Sequence, residues 1–196
     1  MIQLDCLRHG EVQGGTCFRG HTDDPLTPTG LQQMQAATNT GSRWDQVISS
    51  PLQRCATFAT AFAQQYSLPL QFDDRLTEMH FGDWEGRTLD SLMGEDPDAL
   101  TNFWNNPTDH PPPGAESLLN FQARVLSAWN DIIQQHPEQR ILLITHGGVI
   151  RILLCHVQQH PINKLLEFDI KHGSLHHFYL THDGNMTTPT LPVFWN

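Results

Sequence analysis

Apolar positions along the chain fall into a few short runs, separated by polar stretches marked with glycine or proline. Ile2 to Leu7 predicts a strand that stops abruptly at Arg8-His9-Gly10. A polar loop through Gly14-Gly15 and Gly20 leads to a helix start, where Thr27 suits the N-cap and Pro28 the first helical position. Leu31, Met34 and Ala37 or Thr38 give that helix an apolar stripe, and Asn39 to Gly41 end it. Asp45 to Ser49 reads as a second strand, and Ser50-Pro51 opens a helix carrying Arg54, Phe58, Ala61 and Phe62. A short extended piece, Leu70 to Phe72, follows Pro69. From Ser117 to Gln135 an amphipathic pattern places Leu118, Phe121, Val125, Leu126, Trp129, Ile132 and Ile133 on one helical face. Arg140 to Thr145 is apolar without alternation, as expected of a strand covered on both faces of a parallel sheet. It breaks at His146-Gly147-Gly148 into an apolar helix, Val149 to Cys155, and Leu175–Leu180 and Leu191–Phe194 read as late strands. The order of strands and helices predicts an α/β fold: three layers, α/β/α, around a mainly parallel sheet.

The stretch from about 76 to 116 departs from this rhythm. It is rich in Trp, Asn, Asp and Pro, is weakly periodic, and closes on Pro111-Pro112-Pro113-Gly114, which predicts a lid-like insertion outside the main sheet. The length of 196 residues suits one globular domain, 1–196. The hydrophobic fraction is only 38%, yet runs such as Ile141 to Ile144 supply a buried core. A formal net charge of -10 argues against a nucleic-acid or membrane-surface partner, which would call for a basic face. Cys6, Cys17, Cys55 and Cys155 are scattered, without a CxxC pair, as in reduced thiols. The first residues lack the basic start and apolar stretch of a signal peptide, and no segment approaches the roughly 20 apolar residues of a membrane span. The expected location is the cytoplasm.

Two strands end alike, at Leu7-Arg8-His9-Gly10 and Thr145-His146-Gly147-Gly148. Ligands of open α/β sheets sit beyond the carboxyl ends of the strands, where glycine lets the backbone approach and a helix N-terminus welcomes an anion. Arg8 adjoins His9, and Arg54 also lies just past a strand; guanidinium groups bind phosphate oxygens bidentately. Taken singly, each histidine could instead satisfy hydrogen bonds at a strand end, and Arg54 could be a solvated surface residue. Twelve histidines also raise a metal site. His156 and His160 are four apart, and His172, His176 and His177 cluster late. Pro161 follows the first pair directly and no acidic partner has matching spacing, so no metal ligands are assigned.

Arg8-His9-Gly10-Glu11 resembles the signature of the histidine phosphatase superfamily, also called phosphoglycerate mutase-like. The resemblance continues, in the family's order, through five further pieces: Gly20-x-x-Asp23-x-Pro25-Leu26-Thr27-x-x-Gly30; Ser49-Ser50-Pro51-Leu52-x-Arg54-Cys55-x-Thr57; Leu76-x-Glu78-Met79-x-Phe81-Gly82-x-Trp84-Glu85-Gly86; Gly114-x-Glu116-Ser117; and Thr145 to Arg151. It implies metal-independent phosphoryl transfer, without a cofactor, from a small-molecule phosphate monoester onto His9 as nucleophile. Arg8, Arg54 and His146 would surround the phosphoryl oxygens, and Glu78 would be the general acid, for which a raised pKa is needed. Gly20, Gly147 and Glu11 would border the phosphate, Glu11 by orienting loop or arginine groups. Many family members follow Arg-His-Gly-Glu with Ser or Thr and place Asn three residues beyond that. Val12 and Gly15 stand there, so those contacts must come from Gln13, Thr16 or loop backbone, or be missing.

The short chain favours hydrolysis over mutase chemistry, and the motif around Glu78 most resembles that of α-ribazole phosphatases, which remove the 5′-phosphate from α-ribazole 5′-phosphate, or from its cobalamin-linked form (adenosylcobalamin 5′-phosphate), late in cobalamin assembly. Trp84, Phe103 and Trp104 would suit a substrate carrying an aromatic base, or merely pack the insertion. Broad sugar-phosphate or phosphoglycerate phosphatase activity, phosphoglycerate mutase activity, and a non-enzymatic binding module on the same fold stay open alternatives. Monomer and homodimer are equally compatible with the sequence.

Overall fold

The computed structural model describes residues 2–39, 41 and 43–180. A five-stranded sheet has the order β3-β2-β4-β1-β5, with β1 (Ile2–Arg8), β2 (Gln46–Ser49), β3 (Leu70–Phe72), β4 (Arg140–Thr145) and β5 (Leu175–Leu180). All neighbours are parallel except β5, which runs antiparallel to β1 and forms one edge. The mainly parallel expectation holds, with β4 and β1 at the centre. The proposed strand Leu191–Phe194 lies outside the described residues.

Alternate side chains of β4 explain why its sequence shows no alternation. Ile141 and Leu143 pack toward α5 (Leu118–Gln135) and α6 (Gly147–Gln158). Leu142 and Ile144 pack toward α1 (Pro28–Thr38) and α2 (Gln53–Tyr66). All four are buried. With apolar cover on both faces, an all-apolar strand is what hydrophobic burial selects, at roughly 25 cal/mol per Å² removed from water. The three layers are thus in place.

Local chemistry sets most element ends. Thr27 caps α1 by accepting the Gly30 N–H at 3.0 Å, and Pro28 opens it. The stripe facing the sheet is Gly30, Met34 and Thr38, while Leu31 is exposed: i, i+4 spacing turns it one position away from the expected one. α2 starts at Gln53, not at Ser50-Pro51, and its own N-cap residue Leu52 offers no oxygen. Asp23, from the loop after β1, takes the Gln53 N–H at 2.7 Å instead.

The insertion holds two short helices, α3 (Leu89–Glu95) and α4 (Pro97–Asn105), started by Thr88 and Asp96 side-chain caps. Trp84, Leu92, Leu100 and Phe103 form its own small core, closed by Phe18 from the loop after β1. At its base, the Thr145 hydroxyl donates to the Leu76 carbonyl at 2.9 Å, tying it to the end of β4. Among the described residues, no helix is long and apolar enough to cross a membrane.

Candidate active site

The carboxyl ends of β1, β2 and β4 open into a cleft of about 340 Å³. Arg8, His9, Glu11, Arg54 and Glu78 line it, with Gly20 in the loop opposite. Arg19, Phe18, Phe81 and His172 complete the wall.

His9 is 5% exposed, and its Nδ1 lies 2.8 Å from the Gly10 carbonyl oxygen. A carbonyl only accepts, so Nδ1 carries the proton and Nε2 keeps its lone pair. Burial, with Arg54 and Arg8 close by, holds the imidazole pKa well below its ordinary value. His9 is therefore a neutral imidazole with a defined tautomer, the form that can attack phosphorus.

Arg54 is 1% exposed and extends from the first turn of α2. Its Nη2 donates to the Gly20 carbonyl at 2.6 Å, its Nη1 to the Thr22 carbonyl at 2.8 Å, and its Nε to His146 Nδ1 at 3.3 Å. His146 Nδ1 is thus an acceptor, so its Nε2 carries the proton and donates to the Ser50 hydroxyl at 2.7 Å. His146 is fully buried behind His9, with ring centroids 5.3 Å apart, and takes no place on the cleft wall. Burial, then Arg54, lowers its pKa well below the usual histidine value. The geometry brings the two histidines together, but both His146 nitrogens face protein groups.

Arg8 reaches the cleft with Nη1 on the Ile170 carbonyl and Nη2 donating to His172 Nε2 at 2.9 Å. Its Nε is buried, with no hydrogen-bond partner among the described residues. Burial lowers the guanidinium to about 10, opposed chiefly by the nearby Glu78 carboxylate. Gly147 leaves room for this side chain: a Cβ there would lie 3.3 Å from Arg8 Nε.

Glu78 stands at the entrance of the insertion, and three elements fix it. Its Oε2 accepts the Gly148 N–H of α6 at 3.0 Å, and its Oε1 the Met79 N–H at 3.0 Å. Arg124 of α5 donates to the backbone carbonyls of Arg75, Thr77 and Glu78 at 2.8, 2.8 and 2.9 Å. Glu116 in turn holds Arg124 by two bonds of 2.7 and 2.8 Å. Bidentate pairing of this kind fixes direction as well as distance.

Glu11 does not touch an arginine. Its Oε2 accepts the Thr27 hydroxyl at 2.7 Å, and its carbonyl takes the Thr27 N–H at 3.0 Å, so it braces the loop against α1. The loop around Val12 and Gly15 is braced by Arg19, which donates to the Gln13 and Gly15 carbonyls at 2.8 Å each and pairs with Asp24 at 2.8 Å. Val12 is buried and bridges to Leu26, and Thr16 lines the cleft. Trp84 and Phe103 are buried in the insertion's core and Trp104 points outward, so none of these three reaches the cleft. Phe18 and Phe81, edge to face at 5.3 Å, form the aromatic wall in their place.

His160 lies past the end of α6, with Nε2 3.2 Å from Glu167. Among the described residues, no group of three His, Cys, Asp or Glu side chains is arranged to hold a metal. Sequence reasoning missed Arg19 and His172 as cleft residues. His172-Gly173 is a third His-Gly pair beside a strand, the one signal that pointed to it.

A sequence profile of the histidine phosphatase superfamily (branch 1) matches residues 4–188. The chain belongs to the histidine phosphatase superfamily. This histidine phosphatase is 30% identical, over 88% of its length and 87% of the relative's, to the adenosylcobalamin/α-ribazole phosphatase of Escherichia coli K12. It is 35% identical to the probable phosphoglycerate mutase GpmB of Escherichia fergusonii, over 79% of its own length and 74% of the relative's. The structure of Bacillus stearothermophilus YhfR matches it with a TM-score of 0.88 at 27% identity, covering 98% of this chain and 96% of that one.

Proposed function

We propose that this histidine phosphatase hydrolyses small phosphate monoesters through a phosphohistidine on His9, and that its substrate is α-ribazole 5′-phosphate. The observation that carries the chemistry is His9 itself: a buried neutral imidazole whose Nδ1–H is fixed by the Gly10 carbonyl, leaving Nε2 to react. In the first step a bond forms between Nε2 and phosphorus while the ester P–O bond breaks. Glu78 gives its proton to the departing oxygen. In the second step water attacks phosphorus, the P–N bond breaks, and the Glu78 carboxylate takes the proton. Inorganic phosphate leaves and neutral His9 is restored. Arg8 and Arg54 offset the phosphoryl charge throughout, the main lever available in phosphoryl transfer. His146 serves as the buried support of Arg54.

The substrate rests on other ground. A relative named for α-ribazole phosphatase activity aligns over most of both chains. Phe18 and Phe81 give the cleft an aromatic wall for a flat base. A volume of about 340 Å³ lies at the lower end of small-molecule sites, about 300–1,000 Å³. The relative named as a phosphoglycerate mutase makes 3-phosphoglycerate the proper comparison.

The test is phosphate release from α-ribazole 5′-phosphate, 3-phosphoglycerate and a sugar phosphate, with EDTA present throughout. A preference for the first of a hundredfold or more in kcat/KM, about 2.7 kcal/mol, is expected. Comparable slow release from all three would make the enzyme a general phosphomonoesterase. Activity that requires added metal would sink the His9 mechanism.

A further inference from the structure

Glu85 follows the short 3-10 turn Gly82–Trp84 in the insertion and lies outside the cleft wall. Its half-buried carboxylate has four donors. Oε1 accepts the His21 N–H at 2.8 Å and the Phe81 N–H at 3.0 Å. Oε2 accepts both the N–H and the hydroxyl of Thr22 at 2.7 Å. Burial pushes this carboxyl up, but the Phe81, His21 and Thr22 donors outweigh it and hold it below its usual range.

The far side of the same loop holds Arg54. The His21 N–H and the Gly20 carbonyl belong to one peptide group, which is planar, so they point in opposite directions. The N–H meets Glu85 at 2.8 Å and the carbonyl meets Arg54 Nη2 at 2.6 Å. Thr22 contributes differently: its N–H meets both Glu85 and the Arg19 carbonyl, at 2.7 Å each, while its carbonyl, part of the next peptide group, accepts from Arg54 Nη1. Gly20 is what allows so close an approach. Its φ is +37°, and a Cβ there would lie 2.0 Å from Glu85 Oε1. The chain of contacts thus runs from the insertion through the Gly20–His21 peptide to the guanidinium, and from its Nε to His146.

We infer that Glu85 is a positioning residue: from the insertion, it fixes the Gly20–Thr22 peptides and thereby aims Arg54 at the phosphoryl group. Without the carboxylate, the Gly20–His21 peptide plane is free to rotate, and Arg54 loses the fixed Gly20 carbonyl that anchors its Nη2. This rests on the proposed role of Arg54 in holding phosphate.

A double-mutant cycle tests it, with orthovanadate as the probe, EDTA present, and Kd read by titration calorimetry. Glu85→Gln keeps the side chain's size but turns an NH2 group toward N–H donors. It is expected to weaken vanadate about tenfold, the worth of one hydrogen bond to a charged group. In the Arg54→Ala background the same change is expected to cost less than about twofold, because coupled residues are not additive. Equal losses in both backgrounds would make Glu85 a mere anchor of the insertion and overturn the inference, as would no loss in either. If Glu85→Gln fails to fold, Thr22→Val removes one donor and should give a smaller loss that again vanishes without Arg54; a loss that persists there overturns the inference. Unchanged vanadate affinity in Arg54→Ala alone would instead strike the role of Arg54, and the relay with it.

Discussion

The second glycine after His146 offers a sharp test of Glu78. Gly148 lies in the first turn of α6 with ordinary helical geometry, so alanine is conformationally acceptable there. By propensity alone the substitution gains up to about 1 kcal/mol. The added Cβ, however, would sit 2.1 Å from Glu78 Oε1 and 3.1 Å from a ring carbon of Phe121. Ordinary contact begins near 3.4 Å, so the carboxyl must withdraw by 1.3 Å (3.4 − 2.1) while the ring gives a few tenths. The end of a glutamate side chain can do this cheaply, and the fold survives. The Glu78 contact with the Gly148 N–H at 3.0 Å does not.

A misplacement of about 1 Å costs on the order of 10²-fold, and a general acid contributes 10²–10⁴-fold. Gly148→Ala is therefore expected to lower kcat on an alkyl phosphate such as α-ribazole 5′-phosphate by about 10²-fold. p-Nitrophenyl phosphate, whose leaving group needs little protonation, should lose only a few-fold, on the order of the strain term alone. The thermal midpoint should move by no more than about 4 °C, since opposing terms of about 1 kcal/mol nearly cancel. Steady-state kinetics on both esters, beside a melting curve, decides it. Equal losses on the two substrates would mean that Gly148 guards something other than proton transfer, and the reasoning about Glu78 would fail.

Two further outcomes follow from the titratable groups. His9→Ala should abolish turnover with the fold intact, and in the native protein the His9 ring should stay neutral well below pH 6.5, because burial, Arg54 and Arg8 all disfavour its cation; an NMR titration showing an ordinary midpoint would refute this. His177 Nδ1 lies 2.7 Å from the buried Asp5 carboxylate, which raises the imidazole pKa. Its contribution to stability is thus fully present below the unfolded value of about 6.5 and fades as pH rises through the folded one. The gap in urea-unfolding free energy between native protein and His177→Gln should be widest at pH 5.5 and shrink by pH 8.5. A gap that grows with pH would contradict the assignment.

The sequence is legible where one local signal suffices. The uninterrupted apolar run of β4, the Thr27-Pro28 start of α1 and the apolar face of α5 each follow from burial or capping within the element. The insertion is not legible in this way, because its core is assembled from afar. Trp84 comes from a 3-10 turn, Leu92 from α3, Leu100 and Phe103 from α4, and Phe18 from the loop after β1. Helices of 7 and 9 residues are too short to show a clear period of their own. The aromatics left open between substrate and packing have the same cause: Phe18 buries Trp84 and Phe103 as packing, and Phe18 and Phe81 are left facing the cleft. His172 was hidden by topology. Only the antiparallel pairing of β5 with β1 brings residues 170 to 174 against Arg8.

A net charge of -10 looks ill suited to a dianionic substrate, yet charges beyond roughly 10 Å are largely screened by salt. Of the charged groups near His9, Arg54 and Arg8 act on it most strongly. In the proposed mechanism these two arginines meet two demands at once. They attract the phosphate, and they also keep His9 uncharged, since a second positive charge beside them would be costly. A lysine-like point charge on a free stem would not hold both relations as firmly. Arg54 is anchored through Nε, Nη1 and Nη2 to His146 and two loop carbonyls, with N–H groups still left over. When phosphate arrives, the same positive field that kept the proton off Nε2 meets the negative charge it was built to receive. Nucleophile and electrophile are thus prepared by one pair of side chains, and anything that loosens Arg54 should weaken both functions together.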